Sequence, residues 1–573
     1  MNKPKLLGFL AIVALACEAG DGPSAEAPRM TVAALTNDGC TPARTRGLPG
    51  GVDALVIQVR DPEAGWITLD RVEAEDGFDG QALLVQDVPV GEATDLRFLA
   101  CAAATPRLVA TVSGVDLHES RKHGLTLLFR PLDQLSCTGT GFGPSYNQYA
   151  GLGAGRAFAA HAGLPDGRLL IAGGAALTDA DTFTGSAAGA AWDVFDATEG
   201  LFLPGLERGV ARPQRPMVAA RVAAQAFAYR PLTATSAGVL VVGGAPTVVR
   251  GNHRYGPLAP AGGRLSEPIA EYFDPALQAF ARVDAAISPR FLPGGAEADG
   301  LVVLAGGVAY PGEIPSDRVE VIDAGGLRSA QLGTALVGPT VTPLGGGRFL
   351  AWGADVTGCG AQPGWLLNVV GGIEVQPLTL DAPEPAPTCA TPRACRSWYP
   401  TAYHAAARLP DGRVLIVGGI AVGPDGLVNN PDQGVECAPN AFVLDVDPVA
   451  ATARIDPVGL GDVRPEVLKR AFQRATALGD RVLVTGGWGS FDNPGAFVVG
   501  NDAVFYDAAR DQFVASAFSL AEPRLGHVSA RLPDGTVLLA GGLTGRGGGF
   551  DASQTAEVYA PPLGGLSCDP PLP

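Results

Sequence analysis

The stretch "LPDGRLLIAGG" occupies residues 164–174, and nearly the same residues return as "LPDGRVLIVGG" at 409–419 and "LPDGTVLLAGG" at 532–542. "LPDG" is turn chemistry. Proline presets φ, aspartate tolerates the next corner, and glycine takes the position that needs φ > 0. The branched apolar run that follows does not alternate with polar residues, which predicts a short strand covered on both faces. The closing Gly-Gly allows a sharp turn or a close backbone approach where a Cβ would clash. Each copy therefore reads as a hairpin with a buried second strand.

Weaker copies lie between these three. Gly-Gly pairs after apolar runs begin at Gly173, Gly243, Gly306, Gly418, Gly486 and Gly541, and "RFLAWGAD" (348–355) puts Gly353 in the remaining slot. A variable loop and a third strand follow each: "AAWDVFD" (190–196), "IAEYFD" (269–274), "RVEVID" (318–323), "WLLNVV" (365–370), "AFVLDV" (441–446), "DAVFYD" (502–507) and "TAEVYA" (555–560). A turn and a fourth strand usually come next, as in "LQAFARV" (277–283) and "DQFVASA" (511–517). Seven units of roughly 40–70 residues, none able to bury both faces alone, predict sheets stacked around an axis.

This pattern resembles the kelch repeat of the galactose-oxidase-like propellers, over about residues 138–562. The resemblance implies an all-β fold with a seven-bladed β-propeller across residues 137–568. The seventh unit stops after its third strand, so its outer strand is expected from the segment before the first unit, around residues 125–150. Cys137 and Cys568 flank that junction, and a disulfide between them is expected to close it.

Residues 30–135 read differently. Seven short strands at turn-punctuated spacing, from "TVAALT" to "GLTLLFRPL", predict an antiparallel β-sandwich. With Cys40 and Cys101 it suggests an immunoglobulin- or transthyretin-like module.

At the N-terminus, "MNKPKLLGFLAIVALAC" (1–17) joins a positive Lys3/Lys5 start to an apolar run too short to span a bilayer, which takes about 20 residues. Residues 1–16 read as a signal peptide. "ALAC" resembles a bacterial lipobox, which implies lipidation of Cys17, a tether over 17–29, and an address at the bacterial cell envelope, in the outer membrane. The net charge of −17 disfavours phosphate backbones, so nucleic acid is not an expected partner. Hydrophobic residues at 47% give the chain enough apolar surface for a large core. Beyond Cys17, the eight cysteines Cys40, Cys101, Cys137, Cys359, Cys389, Cys395, Cys437 and Cys568 are disulfide candidates in an exported chain. The four middle ones, Cys359 to Cys437, are expected to pair among themselves.

Catalytic signatures are missing from the sequence. There is no GxSxG and no HExxH, and neither "GTGFG" (139–143) nor "GLGAG" (151–155) opens a helix. "DADTFTG" (179–185) lacks the terminal glutamate of a calcium loop. The galactose oxidase resemblance raises a copper site at "WYPTAYHAAARLPDG" (398–412). His404 and His527, however, each stand six residues before a turn proline, which marks an ordinary repeat position, as on the first strand carrying His161. No metal, cofactor or catalytic residue is therefore assigned. Binding is expected on the long loops after the Gly-Gly pairs and between units. These loops carry Phe183, His253, Tyr255, Tyr310, Trp398, Tyr399, Trp488, Phe491 and Arg546. The sequence thus reads as a lipid-anchored surface protein that binds a protein or a glycan without chemistry. The alternative is a carbohydrate-active oxidase or hydrolase with its site in the propeller funnel. Replacing Cys17 by serine should release the protein from membranes or leave its precursor unprocessed. Labelling with a palmitate analogue checks this, and a signal that does not depend on Cys17 overturns it.

Overall fold

The computed structural model describes residues 30–36, 45–73, 78, 83–85, 91–117, 123–138, 152, 154–177, 182–184, 190–203, 215–231, 237–253, 256–260, 269–309, 314–356, 362–383, 400–421, 441–490, 497–546, 549–564 and 568. The fold is all-β, and among these residues the one helix is the single turn Pro465–Leu468.

The N-terminal unit comprises β1 (Met30–Thr36), β2 (Thr45–Arg46), β3 (Ala54–Asp61), β4 (Gly65–Glu73), β5 (Leu83–Val85), β6 (Gly91–Ala102), β7 (Thr105–Leu117) and β8 (His123–Pro131). They form one hydrogen-bonded sheet in the order β2-β1-β8-β7-β6-β3-β4, with β5 also on β1. Val32 of β1 and Phe129 of β8 share a core with Leu55, Ile57, Leu96 and Phe98 of β3 and β6, so the sheet folds over its own apolar face. One pairing departs from the antiparallel expectation: β1 runs parallel to β8, from Met30 opposite His123 to Thr36 opposite Phe129.

Seven further sheets recur along the chain. Sheet I holds Ala160–Gly163, Leu169–Ala172, Trp192–Asp196 and Leu201–Leu203. Sheet II holds Gln225–Tyr229, Gly238–Val242, Ala270–Asp274 and Ala279–Val283; sheet III, Gly294–Ala298, Leu301–Ala305, Arg318–Asp323 and Gly326–Gln331. Sheet IV holds Leu336–Gly345, Arg348–Asp355, Gly364–Asn368 and Glu374–Pro377. Sheet V holds Ala405–Arg408, Val414–Val417, Ala441–Asp447 and Thr452–Pro457, with Thr379–Asp381 added in parallel. Sheet VI holds Arg474–Leu478, Arg481–Thr485, Asp502–Asp507 and Gln512–Ser519. Sheet VII holds Val528–Arg531, Val537–Ala540 and Ala556–Ala560. Its fourth strand is β9 (Gln134–Cys137), which precedes sheet I in the chain, so the expected donation of an outer strand takes place.

The non-alternating second strands are buried on both faces, as their sequence requires. In sheet I, Leu170 packs with Val239 and Phe273 of sheet II, whereas its neighbour Ile171 packs with Leu538 and Val558 of sheet VII. The same sharing joins II to III, III to IV, IV to V, V to VI and VI to VII. Each sheet thus buries its faces against two others, in an order that returns to its start.

The Gly-Gly pairs sit at these junctions. The N–H of the second glycine donates to a backbone carbonyl of the following sheet: Gly174 to Arg221 (2.7 Å), Gly244 to Arg290 (3.1 Å), Gly419 to Arg470 (2.7 Å), Gly487 to Arg524 (2.8 Å) and Gly542 to Arg156 (2.9 Å). A Cβ on Gly541 would stand 2.5 Å from the Arg156 carbonyl oxygen, so the approach itself requires glycine.

The closing disulfide differs from expectation. Cys568 bonds Cys101, with Cα atoms 6.3 Å apart, and not Cys137. The antiparallel pairing puts Cys137 beside Glu557, whereas the chain leaves the sheet at the other end, where Ala560 faces Gln134. From there the tail runs onto the N-terminal unit. The Cys568 N–H donates to Ala104 O (2.9 Å), and Arg71 Nη1 donates to Cys568 O (2.6 Å). Cys137 is itself disulfide-bonded. The Cys101–Cys568 bridge spans 467 residues, for which chain entropy sets a ceiling of about 6 kcal/mol. Cys101→Ser and Cys568→Ser should each lower Tm, and the double variant should lower it no further. Calorimetry in which the two single effects added would separate the two cysteines.

Candidate functional site

The residues where the seven sheets meet follow one short pattern upstream of five of the seven first strands. "GRAF" (155–158), "ARVA" (220–223), "PRFL" (289–292), "KRAF" (469–472) and "PRLG" (523–526) each carry an arginine followed by an apolar residue. The next residue has a left-handed backbone: Phe158, Ala223, Leu292, Phe472 and Gly526, joined by Gly338 and Tyr403 of the other two sheets, with φ between 48° and 61°. Non-glycine residues rarely adopt this conformation, and it persists only where the surroundings over-determine it. Here it is held by hydrogen bonds around the axis. Phe158 N donates to Gly526 O (2.8 Å), Ala223 N to Phe158 O (2.9 Å), Tyr403 N to Gly338 O (2.9 Å) and Phe472 N to Tyr403 O (2.9 Å).

The aromatic members meet at the axis. The Phe158 and Phe472 rings lie edge to face at 5.3 Å, and Tyr403 stacks on Phe472 at 4.8 Å. Gly526 and Gly338 leave room for them, since a Cβ on either would stand 2.5 Å from the ring of Phe158 or Tyr403.

Against these rings lies an axial cavity of about 310 Å³, lined by the first strands. Among the described residues, its polar lining includes His161, Gln225, Thr340, His404, Gln473 and Arg474, and no carboxylate. Both ring nitrogens of His404 are engaged: Nδ1 with Thr401 O (2.7 Å) and Nε2 with Thr340 Oγ1 (2.8 Å). Burial brings the His404 pKa down to about 4. Burial, reinforced by the Arg474 charge, brings His161 down to about 4 as well. Arg474 Nε donates to His527 O (2.7 Å), and His527, fully buried, is held neutral by burial and by Arg474. The cavity is thus a weakly positive polar well of neutral imidazoles. It offers no pair of carboxylates for glycosidic cleavage, which needs two. Among the described residues, no three His, Cys, Asp or Glu side chains are grouped to hold a metal ion, and no helix is long and apolar enough to cross a membrane.

The loops expected to bind are partly regular. Ala176–Leu177, Phe183 within Thr182–Thr184, His253 within Thr247–His253, and Gly256–Pro260 form a four-stranded sheet shared by the loops of sheets I and II. Trp488–Ser490 pairs with Phe497–Val499, and Leu543–Arg546 with Gly549–Ala552. Trp488 is buried against the axial residues, so its ring supports the loop and is not presented to solvent. The side chains of Phe183, His253 and Arg546 lie outside the description. So do Tyr255, Tyr310, Trp398, Tyr399, Phe491 and the cysteines Cys17, Cys40, Cys359, Cys389, Cys395 and Cys437. Sequence reasoning missed the arginine pattern, although its distance to the Gly-Gly pair, 16 to 22 residues, recurs as regularly as the pairs themselves.

No protein-family model matches this chain, and no curated protein matches it.

The histidines make stability depend on pH. With pKa values of about 4 in the native state and 6.5 as the ordinary value, His161 and His404 take up protons in the unfolded chain first. Native stability should therefore fall as pH drops from 6.5 towards 4. Calorimetry across this range should show a shallower fall of Tm for His161→Gln/His404→Gln, and an unchanged slope would overturn the assignment.

Proposed function

We propose that the seven sheets are the blades of a kelch-type β-propeller, closed by β9 and preceded by a β-sandwich module, in a lipid-anchored protein of the bacterial cell envelope. Its loop face binds a protein or glycan partner without chemistry. The observation that carries this reading is the contrast between axis and loops. The axial histidines are engaged or desolvated, and among the described residues no carboxylate lines the cavity with them. The segments after the first two Gly-Gly pairs, by contrast, assemble into a four-stranded sheet of their own. Loops carried by a rigid scaffold are where binding sites concentrate. Aromatic residues such as Tyr255, Trp398, Tyr399 and Phe491 supply surfaces that stack on sugars or anchor a protein.

The mature chain without its lipid should give saturable binding to a glycan array or to a purified envelope protein. Trp398→Ala/Tyr399→Ala and Tyr255→Ala should weaken that binding at unchanged Tm. Turnover of an oligosaccharide, seen as new reducing ends or as peroxide release, would replace this reading with the enzymatic one.

A further inference from the structure

A second cavity, of about 420 Å³, lies between the N-terminal unit and the ring of sheets. One wall carries Arg60 of β3, Trp66 of β4, Arg97 of β6 and Arg130 of β8. The other carries Arg531 and Asp534, from the end of the first strand of sheet VII and the turn that follows, and the tail segment 560–564 completes the lining. Four arginines thus line one cleft in a chain whose net charge is −17.

Among the described residues, the single carboxylate in that lining is committed to its own turn. Asp534 Oδ1 accepts from Thr536 N (2.9 Å) and Thr536 Oγ1 (2.7 Å). Arg130 Nη1 donates to Ser136 Oγ (3.0 Å), and Arg60 reaches Asp95 at 3.7 Å. Arg531 is exposed and has no ion pair among the described residues.

Arg97 is the decisive residue. It is 8% exposed, its Nε donates to Gln58 Oε1 (2.7 Å), and its guanidinium lies over the Trp66 ring at 4.4 Å. Among the described residues no carboxylate faces it. Burial draws its pKa down to about 10, which leaves it cationic at neutral pH. A desolvated guanidinium without a counter-charge is costly, and its planar fork matches carboxylate and phosphate geometry.

We propose that this cleft binds a small oxyanion-bearing molecule of sugar size, its carboxylate or phosphate held between Arg97 and Arg531 with Trp66 as the apolar wall. The volume falls in the range of small-molecule sites. This inference stands independently of the loop-face reading, because the residues that line the cleft belong to the N-terminal unit, the sheets and the tail.

Titration calorimetry of the mature, lipid-free chain with glucuronate, glucose 6-phosphate and glucose tests it. At least one of the two anions should bind saturably, and glucose at least about tenfold more weakly. Arg531→Ala, on the exposed side, should weaken anion binding by about tenfold at unchanged Tm, as removal of one charge-assisted contact does. Arg97→Gln should weaken it at least as much, and if that variant does not fold, Arg531→Ala alone decides. Binding of glucuronate only or of the phosphate only assigns the oxyanion. Failure of both anions to bind, equal binding of glucose, or undiminished binding by the Arg531→Ala protein would overturn the proposal.

Discussion

The buried arginine ahead of the first strand in five of the seven sheets is the interaction on which the rest of the structure depends. Arg221 shows it whole. Its Nη1 donates to Gly243 O and Ile269 O (both 2.9 Å), and its Nε and Nη2 donate to Glu271 Oε1 (3.1 and 3.0 Å). Its own carbonyl accepts Gly174 N–H from the preceding sheet. One residue therefore ties the second and third strands of its sheet to each other and its sheet to the last. Arg156 with Asp193, Arg290 with Glu320, Arg470 with Asp502, and Arg524 with Glu557 repeat the arrangement. A buried pair of this kind is weak evidence for net stability, but removing one partner leaves an uncompensated charge at a cost of about 3–5 kcal/mol.

The two exceptions support the same account. In sheet V, Thr401 Oγ1 donates to Gly418 O (2.9 Å) and so covers the carbonyl that an arginine covers elsewhere. In sheet IV, Leu336 occupies the arginine position, and there the Gly-Gly pair is absent too. Gly353 stands alone, and the strand Arg348–Asp355 runs straight through it. In sheet IV the arginine and the glycine pair are lost together, whereas sheet V keeps its pair and caps the first glycine's carbonyl with Thr401. The sharp turn exposes a carbonyl that must be hydrogen-bonded once buried.

This construction also shapes the two cavities. Holding seven backbones around one axis forces left-handed residues there, and their aromatic side chains occupy the centre. The space left over is small and polar, and among the described residues no carboxylate lines it. At the periphery, the last sheet borrows β9, which follows directly on β8, and the tail returns to Cys101. The N-terminal unit is thereby drawn against the ring, and a core of Ala54, Val56 and Leu99 shared with Ala560 and Cys568 forms beside the arginine-lined cleft.

Much of this was legible locally. "LPDG" specifies its hairpin turn because proline and glycine act through their own φ: Gly167, Gly412 and Gly535 have φ of 85°, 96° and 87°. The uninterrupted apolar strands announced burial on both faces, and a missing fourth strand could be counted. What the sequence by itself determined was therefore the repeated sheet and the need for a strand donor, since both follow from periods within a few tens of residues. Tertiary structure alone decided the partner of Cys568, since the direction in which the tail leaves its sheet is invisible in a list of cysteines. It decided the work of the arginines, because the glycine carbonyl that needs a donor lies 16 to 22 residues away in the chain. It also decided the left-handed backbones of Phe158, Tyr403 and Phe472, because no intrinsic preference places aromatic residues there and hydrogen bonds from distant segments hold them.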